Sequence, residues 1–521
     1  MSKTDKWLII GLLVVSLALH FISLNKPREV VFDEVHFGKF VTAYCCTGER
    51  FFDIHPPHAK LLVAGVAYLG GYRGGFDFDH IGEPYGSVPI TALRFVPALA
   101  GTLLPLVVFW LARQLGARPW AAAASAGLVL LDNALTVQAR LISLDSILLL
   151  AIFSSLLLFL KSDEKWYGWK RWVGFGLAGG WAGLAVGVKF TGLAILGLLG
   201  VIIAVRLLRT CFSEDSPAFA RGYGGQSEDS KYRMIRHYIL AGLLIVFCAS
   251  VVYAAGWALH FALLSAPGGG DAFYRPDFSG GALPITFIRE TVALHKVMFD
   301  ANYHLTATHP YASAWWSWLL MERPIFYWQE AGRMIYLLGN PLVWWGTNLM
   351  LLIIIVLSVV RYGQDRTAST VNSVNTVNTA QPSHKAMAGK ASPSHKAMAG
   401  KASPSHKAMA GKARTVNTVS SVNLWIPVMG YVIALGPLID VPRALFLYHY
   451  FTALIFAMLI VVLWLQRAFD TAGWDESRRR KVWITVLIAV AIVFVVFSPL
   501  TYGLAVPTWW ADNLFWLRSW R

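Results

Sequence analysis

Eleven stretches of this chain are long and apolar enough to cross a bilayer: residues 7–24, 93–112, 120–136, 141–160, 173–188, 190–205, 238–259, 341–360, 424–439, 444–465 and 482–500. A hydrocarbon core of roughly 30 Å takes about 20 apolar residues per helix. Inside it every backbone N–H and C=O must be paired within the segment, which makes helices the fold open to runs of this length. The charged fraction is only 14%, where soluble domains carry about 25%, and the mean hydropathy is +0.52. A soluble multidomain enzyme is excluded on these grounds. Disorder over most of the chain is excluded by 22 Trp, 19 Tyr and 30 Phe. A disulfide scaffold is excluded because Cys45, Cys46, Cys211 and Cys248 are the only cysteines. The expected fold is an all-α polytopic membrane protein with about 11 transmembrane helices. Spans 173–188 and 190–205 form one apolar stretch broken by Lys189, too long for one crossing and short for two.

Charge sets the direction of the spans. With the N-terminus in the cytoplasm, the inner segments 1–6, 113–119, 161–172, 206–237, 361–423 and 466–481 hold 28 of the 45 Lys and Arg but 11 of the 29 acids. This is the positive-inside asymmetry, and it accounts for the whole net charge of +16. The excess then faces anionic headgroups, and a nucleic-acid partner loses its support. The first run is 18 residues long with no small-x-small site after it, so it reads as an anchor rather than a cleaved signal. Two long extracytoplasmic segments follow, 25–92 and 260–340. Within 361–423, SHKAMAGKASP repeats from Ser383, from Ser394 and in part from Ser405. Such a unit has too little apolar volume for a core and reads as a basic linker.

Three places carry candidate chemistry. The first outside loop holds Asp33, Glu34 and His36, then Asp53 and His55 before Pro56-Pro57. Asp33 and Glu34 follow closely on the first span, where burial raises a carboxylate's pKa and makes it a usable base. The neighbours Phe32, Phe37, Phe51 and Phe52 argue against free solvation; a solvated acidic patch is the plainer alternative. Asp33, His36, Asp53 and His55 could also ligate a divalent ion, although no fixed ligand spacing marks a site, and no cofactor is expected to be required. The second place is the turn between the third and fourth spans, with Asp132, Asn133, Arg140 and Asp145, together with Lys189. Charges in apolar stretches mark function or pairing. Arg140 and Lys189 supply positive charge at the outer edge, and Asp145 is expected to hold Arg140; a structural Arg–Asp pair with a snorkelling Lys is the alternative. The third is Asn302–Pro310 running into Trp315-Trp-Ser-Trp318, with His304 and His309. These two His are five residues apart, which does not suit a paired zinc site on one helix face.

The motifs FDEVHFG (32–38), FDIHPP (52–57), LDNAL (131–135), QARLISLDS (138–146), VKFTG (188–192), the His304–Trp318 stretch and LFLYHY (445–450) occur in one order over residues 31–450. Together they resemble the protein O-mannosyltransferase family. His58 departs from the family's small or aliphatic residue. The loop 260–340 has no room for the soluble β-trefoil insert of eukaryotic members, which implies a prokaryotic type. The resemblance implies the C-type glycosyltransferase architecture. It implies a catalytic transmembrane module over 1–260, an extracytoplasmic loop opening the C-terminal module over 261–340, a helix over 341–360, a linker over 361–423 and C-terminal helices with an extracytoplasmic tail over 424–521.

It also implies an activity: mannose transfer from polyprenyl-phosphate-mannose to Ser/Thr hydroxyls of exported proteins, by inverting displacement, on the outer face of the cell membrane. Asp33 is then the expected base, with Glu34 orienting or holding a cation such as Arg140. Arg140, Lys189, His304 and His309 are expected at the donor phosphate, and His36, Asp53, His55 and Asp145 in support. Expected partners are the lipid donor, secreted or membrane protein acceptors and membrane lipids; docking to a secretion channel is left open. The alternatives are a related transferase acting on a glycolipid or small acceptor, and a transporter or flippase, for which the expected repeated halves are missing.

Overall fold

The computed structural model describes residues 2–212, 228–276, 278, 284–304, 308–378 and 422–521. It forms two units, one of residues 1–351 with 422–521 and the other of residues 352–421. The described part of the second unit continues one helix, and the SHKAMAGKASP repeats lie outside the described residues.

In chain order the helices are α1 Lys3–Phe21, α2 Glu34–Thr42, α3 His58–Leu69, α4 Ile90–Gln114, α5 Pro119–Leu130, α6 Asn133–Ala139, α7 Asp145–Glu164, α8 Trp169–Val188, α9 Leu193–Phe212, α10 Glu228–Leu263, α11 Pro284–His304 and α12 Trp315–Trp318. A hairpin follows, β1 Ile325–Glu330 and β2 Arg333–Leu337, then α13 Pro341–Asn378, α14 Trp425–Leu435, α15 Phe451–Thr471, α16 Glu476–Tyr502 and α17 Thr508–Leu514. Among the described residues eight helices have the length and composition to cross a membrane, and nine if the bent pair α5–α6 counts as one. The other two of the eleven expected spans exist as helices but fall short. Trp425–Leu438 is too short, and α8 is diluted by Gly and by charge at its start. The break at Lys189 does separate two helices, α8 and α9.

α7 and α15 are buried along most of their length, whereas α1, α13 and α16 present most of their apolar surface outward. This is expected where lipid, not water, is the solvent. α7 packs against α4 and α8, and α8 against α10. The α8–α10 approach depends on small residues, since a Cβ at Gly183 would collide with the Ala249 backbone. The α5–α6 pair bends by 62°. Asp132 caps the bend, accepting from the Leu135 N–H at 3.0 Å, the Asn340 N–H at 3.0 Å and the Trp344 indole at 2.7 Å. Asn133 donates to Thr501 at 2.8 Å. Asp132 and Asn133 therefore hold helices together.

The all-α architecture carries one short hairpin beside its helices. The hairpin β1–β2 pairs antiparallel, with an irregularity between Phe326 and Trp328. Such a bulge re-aims side chains. Tyr327 and Trp328 are both buried here; Tyr327 donates to Gln138 and Trp328 to Glu29.

Candidate active site

The loop after α1 returns to the bundle end as α2, and a single left-handed residue sets its entry. Phe32 has φ 45°, a conformation that costs energy for a bulky residue. Its ring stacks on Tyr327 at 4.1 Å and 9°, which holds the turn. The next two residues, both acidic, are treated oppositely.

Glu34 is fully buried and saturated. Arg94 of α4 grips it in bidentate fashion at 2.7 Å and 2.7 Å, and Tyr85 and the backbone N–H groups of Val31 and Ile142 each donate at 3.0 Å. Arg94 in turn donates to the carbonyls of Leu24, Lys26, Pro27 and Glu29. Glu34 therefore ties the first loop to α4 and to the turn before α7. The cation it holds is Arg94 rather than Arg140, and its lone pairs are committed to these contacts. The signal for Arg94 was present, since it stands just inside an expected span, where a lone cation needs a partner.

Asp33 is half-buried; its backbone carbonyl accepts from the His36 and Phe37 N–H groups, while its carboxyl makes no hydrogen bond to another described residue. Burial raises its pKa, Lys189 lowers it, and Asp145 and Asp53 raise it, for a net value of about 7. Lys189 is a buried cation whose Nζ donates to Asp145 at 2.7 Å and stands 4.9 Å from the centre of the Tyr448 ring. Asp145 also accepts from Gln138 at 2.7 Å, and Gln138 accepts from the Tyr327 hydroxyl at 2.9 Å. The QARLISLDS and VKFTG motifs are thereby joined to Phe32 and Asp33 through one chain of contacts. Burial raises the Tyr327 hydroxyl's pKa, and the charges of Asp33, Tyr448 and Asp145 raise it further, so it stays a neutral donor.

Asp53 lies behind this centre. It pairs with Lys60 and, at 3.1 Å, with His55 Nδ1. Burial opposes its ionisation, but Lys60 and His55 outweigh burial and hold the carboxyl well below its usual range. Lys60 also donates to the His55 carbonyl at 2.8 Å. Asp53, His55 and Lys60 thus form a closed unit. Among the described residues no three His, Cys, Asp or Glu side chains, Asp33, His36, Asp53 and His55 included, stand together as a group that could hold a metal ion. His36 is exposed on α2.

Arg140 is placed elsewhere. It donates to the carbonyls of Leu19, His20 and Ser23 at the end of α1, at 3.0, 2.8 and 2.9 Å, and it lies over the Tyr502 ring at 4.6 Å. The expected Arg140–Asp145 pair is not formed. The two residues flank a tight turn that sends Arg140 toward α1 and Asp145 toward Lys189. His304 is exposed, with Nδ1 3.0 Å from Asp300, and its described contacts do not include Lys189. His309 packs on Phe446 at 5.0 Å and lines a cavity of about 500 Å³ with Arg443. Arg443 has no ion-pair partner among the described residues, and burial lowers its pKa while Tyr448 raises it. Lys189, Asp145 and Tyr448 border a smaller cavity that shares Leu438 with the Arg443 cavity. Arg443 escaped the sequence reading because it sits one residue before an expected span, where a snorkelling cation is ordinary.

Residues 10–265 match the family described as dolichyl-phosphate-mannose-protein mannosyltransferase. Residues 287–387 and 405–520 match the C-terminal four-transmembrane region of protein O-mannosyltransferase. Dolichyl-phosphate-mannose–protein mannosyltransferase 4 of Schizosaccharomyces pombe is 32% identical over 53% of this chain and 35% of its own length. The Candida albicans mannosyltransferase 4 is 33% identical over 63% of this chain and 42% of its own length. The chain thus spans about a third to two fifths of these relatives. Among solved structures, the Saccharomyces cerevisiae Pmt1–Pmt2 complex bound to the sugar donor matches at a TM-score of 0.78 and 20% identity, covering 100% of this chain and 93% of that one; the likeness is one of fold. With both family regions in order along it, this chain belongs to the protein O-mannosyltransferase family.

Proposed function

We propose that this protein transfers mannose from a polyprenyl-phosphate-mannose lipid to Ser or Thr hydroxyls of proteins on the outer side of the cell membrane, with the N-terminus in the cytoplasm. The observation that carries the reading is the contrast within one acidic pair. Glu34 has every oxygen committed, while Asp33 is uncommitted, desolvated and tuned to about 7. A general base works best with a pKa near the working pH.

The acceptor hydroxyl attacks C1 of mannose while Asp33 takes its proton. The C1–O bond to phosphate breaks on the opposite side, and lipid phosphate departs with the electron pair. One base and one displacement invert the anomeric centre. Charge grows on the departing phosphate, and fixed cations stabilise it without reorganising. Lys189 and Arg443 fill that role, with His309 at the rim. Arg140 and His304 drop out of the donor site in this reading. Asp145 holds Lys189, and Asp53 with Lys60 and His55 supports the loop from behind.

Membranes carrying the full chain, given labelled lipid-phosphate-mannose and a Ser/Thr peptide, should label the peptide. Label appearing only in glycolipid would overturn the acceptor assignment. Arg443→Gln should raise the KM for donor by about tenfold, as removal of a charge-assisted contact does; an unchanged KM would remove Arg443 from the phosphate site.

A further inference from the structure

Arg140 borders a second cavity of about 590 Å³, set between the end of α1, the end of α16 and the β1–β2 hairpin. It lies at the same end of the bundle as Asp33 but on the other side of the hairpin. Tyr327 bonds Gln138 at the site, whereas its neighbour Trp328 lines this cavity. The walls are apolar, built from Leu19, Ile22, Phe494, Val495 and Leu504. Ile22 and Val495 are 66% and 64% exposed, so the cavity is continuous with surface that a bilayer covers. The lining carries three cations, Lys26, Arg140 and Arg333, and no acid. None of the three has a carboxylate partner among the described residues. Glu29, held at 2.8 Å by the Trp328 indole N–H, and Glu330, opposite Arg333 in the hairpin, both stay outside the lining.

An apolar slot between two span ends, closed by unneutralised cations at the level of the headgroups, suits one class of ligand. We infer that this cavity binds an anionic phospholipid of the surrounding leaflet, its headgroup among Lys26, Arg140 and Arg333 and its upper chain between α1 and α16. Arg140 is already fixed by three carbonyls, so its charge is preorganised. The volume is within the usual range for ligand sites, about 300–1,000 Å³. The site is separate from the donor cavity bounded by Lys189 and Arg443, and the inference stands or falls independently of the transfer chemistry.

The test is native mass spectrometry of the purified full chain in mixed micelles holding equal phosphatidylglycerol and phosphatidylcholine. Phosphatidylglycerol should be retained preferentially. Lys26→Gln with Arg333→Gln, both exposed positions, should weaken retention by about 30-fold, since each interfacial cation contributes about fivefold. Ser498→Trp, which fills the slot from α16, should abolish retention with both cations intact. Asp33→Asn should retain lipid as the parent does. Equal retention of the two lipids, or full retention in both cavity variants, overturns the inference. Displacement of phosphatidylglycerol by millimolar inorganic phosphate would overturn its lipid part.

Discussion

Replacing Asp33 with Asn should abolish mannosyl transfer and at the same time stabilise the protein, and the two effects have one cause. The carboxyl's pKa stands at about 7 in the fold against an ordinary 3.8. The folded state therefore binds its proton more tightly than the unfolded chain does. The sign follows: below about pH 4 both states are protonated and Asp33 costs nothing. From pH 4 to 7 the unfolded chain gives up its proton first, so folding stability falls as pH rises, and above pH 7 the loss is complete. A difference of about 3 in pKa corresponds to about 4 kcal/mol. Water reaching a half-buried group reduces this, and about 2 kcal/mol is the working expectation. Asn has no proton to lose. Its stabilisation relative to the parent should be near zero at pH 4 and grow to a rise of roughly 2–5 °C in apparent Tm at pH 8. Parent and variant would be heated at one scan rate in the same nanodiscs, because unfolding of such proteins is read as a rate as much as an equilibrium. The peptide assay runs alongside. Near-normal transfer by the variant would refute the base. A Tm difference that does not change with pH would refute the desolvated carboxylate.

Parent activity should fall about tenfold per pH unit below 7, the behaviour of a single essential base; a flat profile from pH 5 to 8 would contradict it. Lys189→Met removes the cation that lowers the Asp33 pKa and leaves Asp145 unpaired beside it, so the acid limb should move up by about one pH unit while kcat drops; an unmoved limb would separate the two residues. Glu34→Gln leaves Arg94 buried with only carbonyls and should cost about 3–5 kcal/mol of stability; a stable protein that loses activity alone would return Glu34 to the chemistry. The His58 ring sits between Gly187 and Gly256, where a Cβ at either would overlap it. Gly256→Ala should cost about 1–3 kcal/mol, and the cost should vanish in the His58→Ala background; additive effects would show that the ring does not fill that space.

The apolar runs, the asymmetric distribution of Lys and Arg, and the ordered motifs are local properties, and they brought the helical membrane fold and the family within reach of the sequence. Span counting was less exact. α8 and Trp425–Leu438 are helices whose Gly content and shortness weaken the membrane signal without preventing their packing in the bundle. Partner choice was the part that only the tertiary structure decided. Asp145 and Arg140 lie five residues apart, yet the turn between them points one at Lys189 and the other at the carbonyls of α1. Glu34 meets Arg94 across 60 residues of chain, and Tyr327 reaches Gln138 across 189. Chain spacing is nearly silent about such pairings, because a buried charge is stabilised by whichever opposite group the packed helices bring to it, and that depends on how the helices pack.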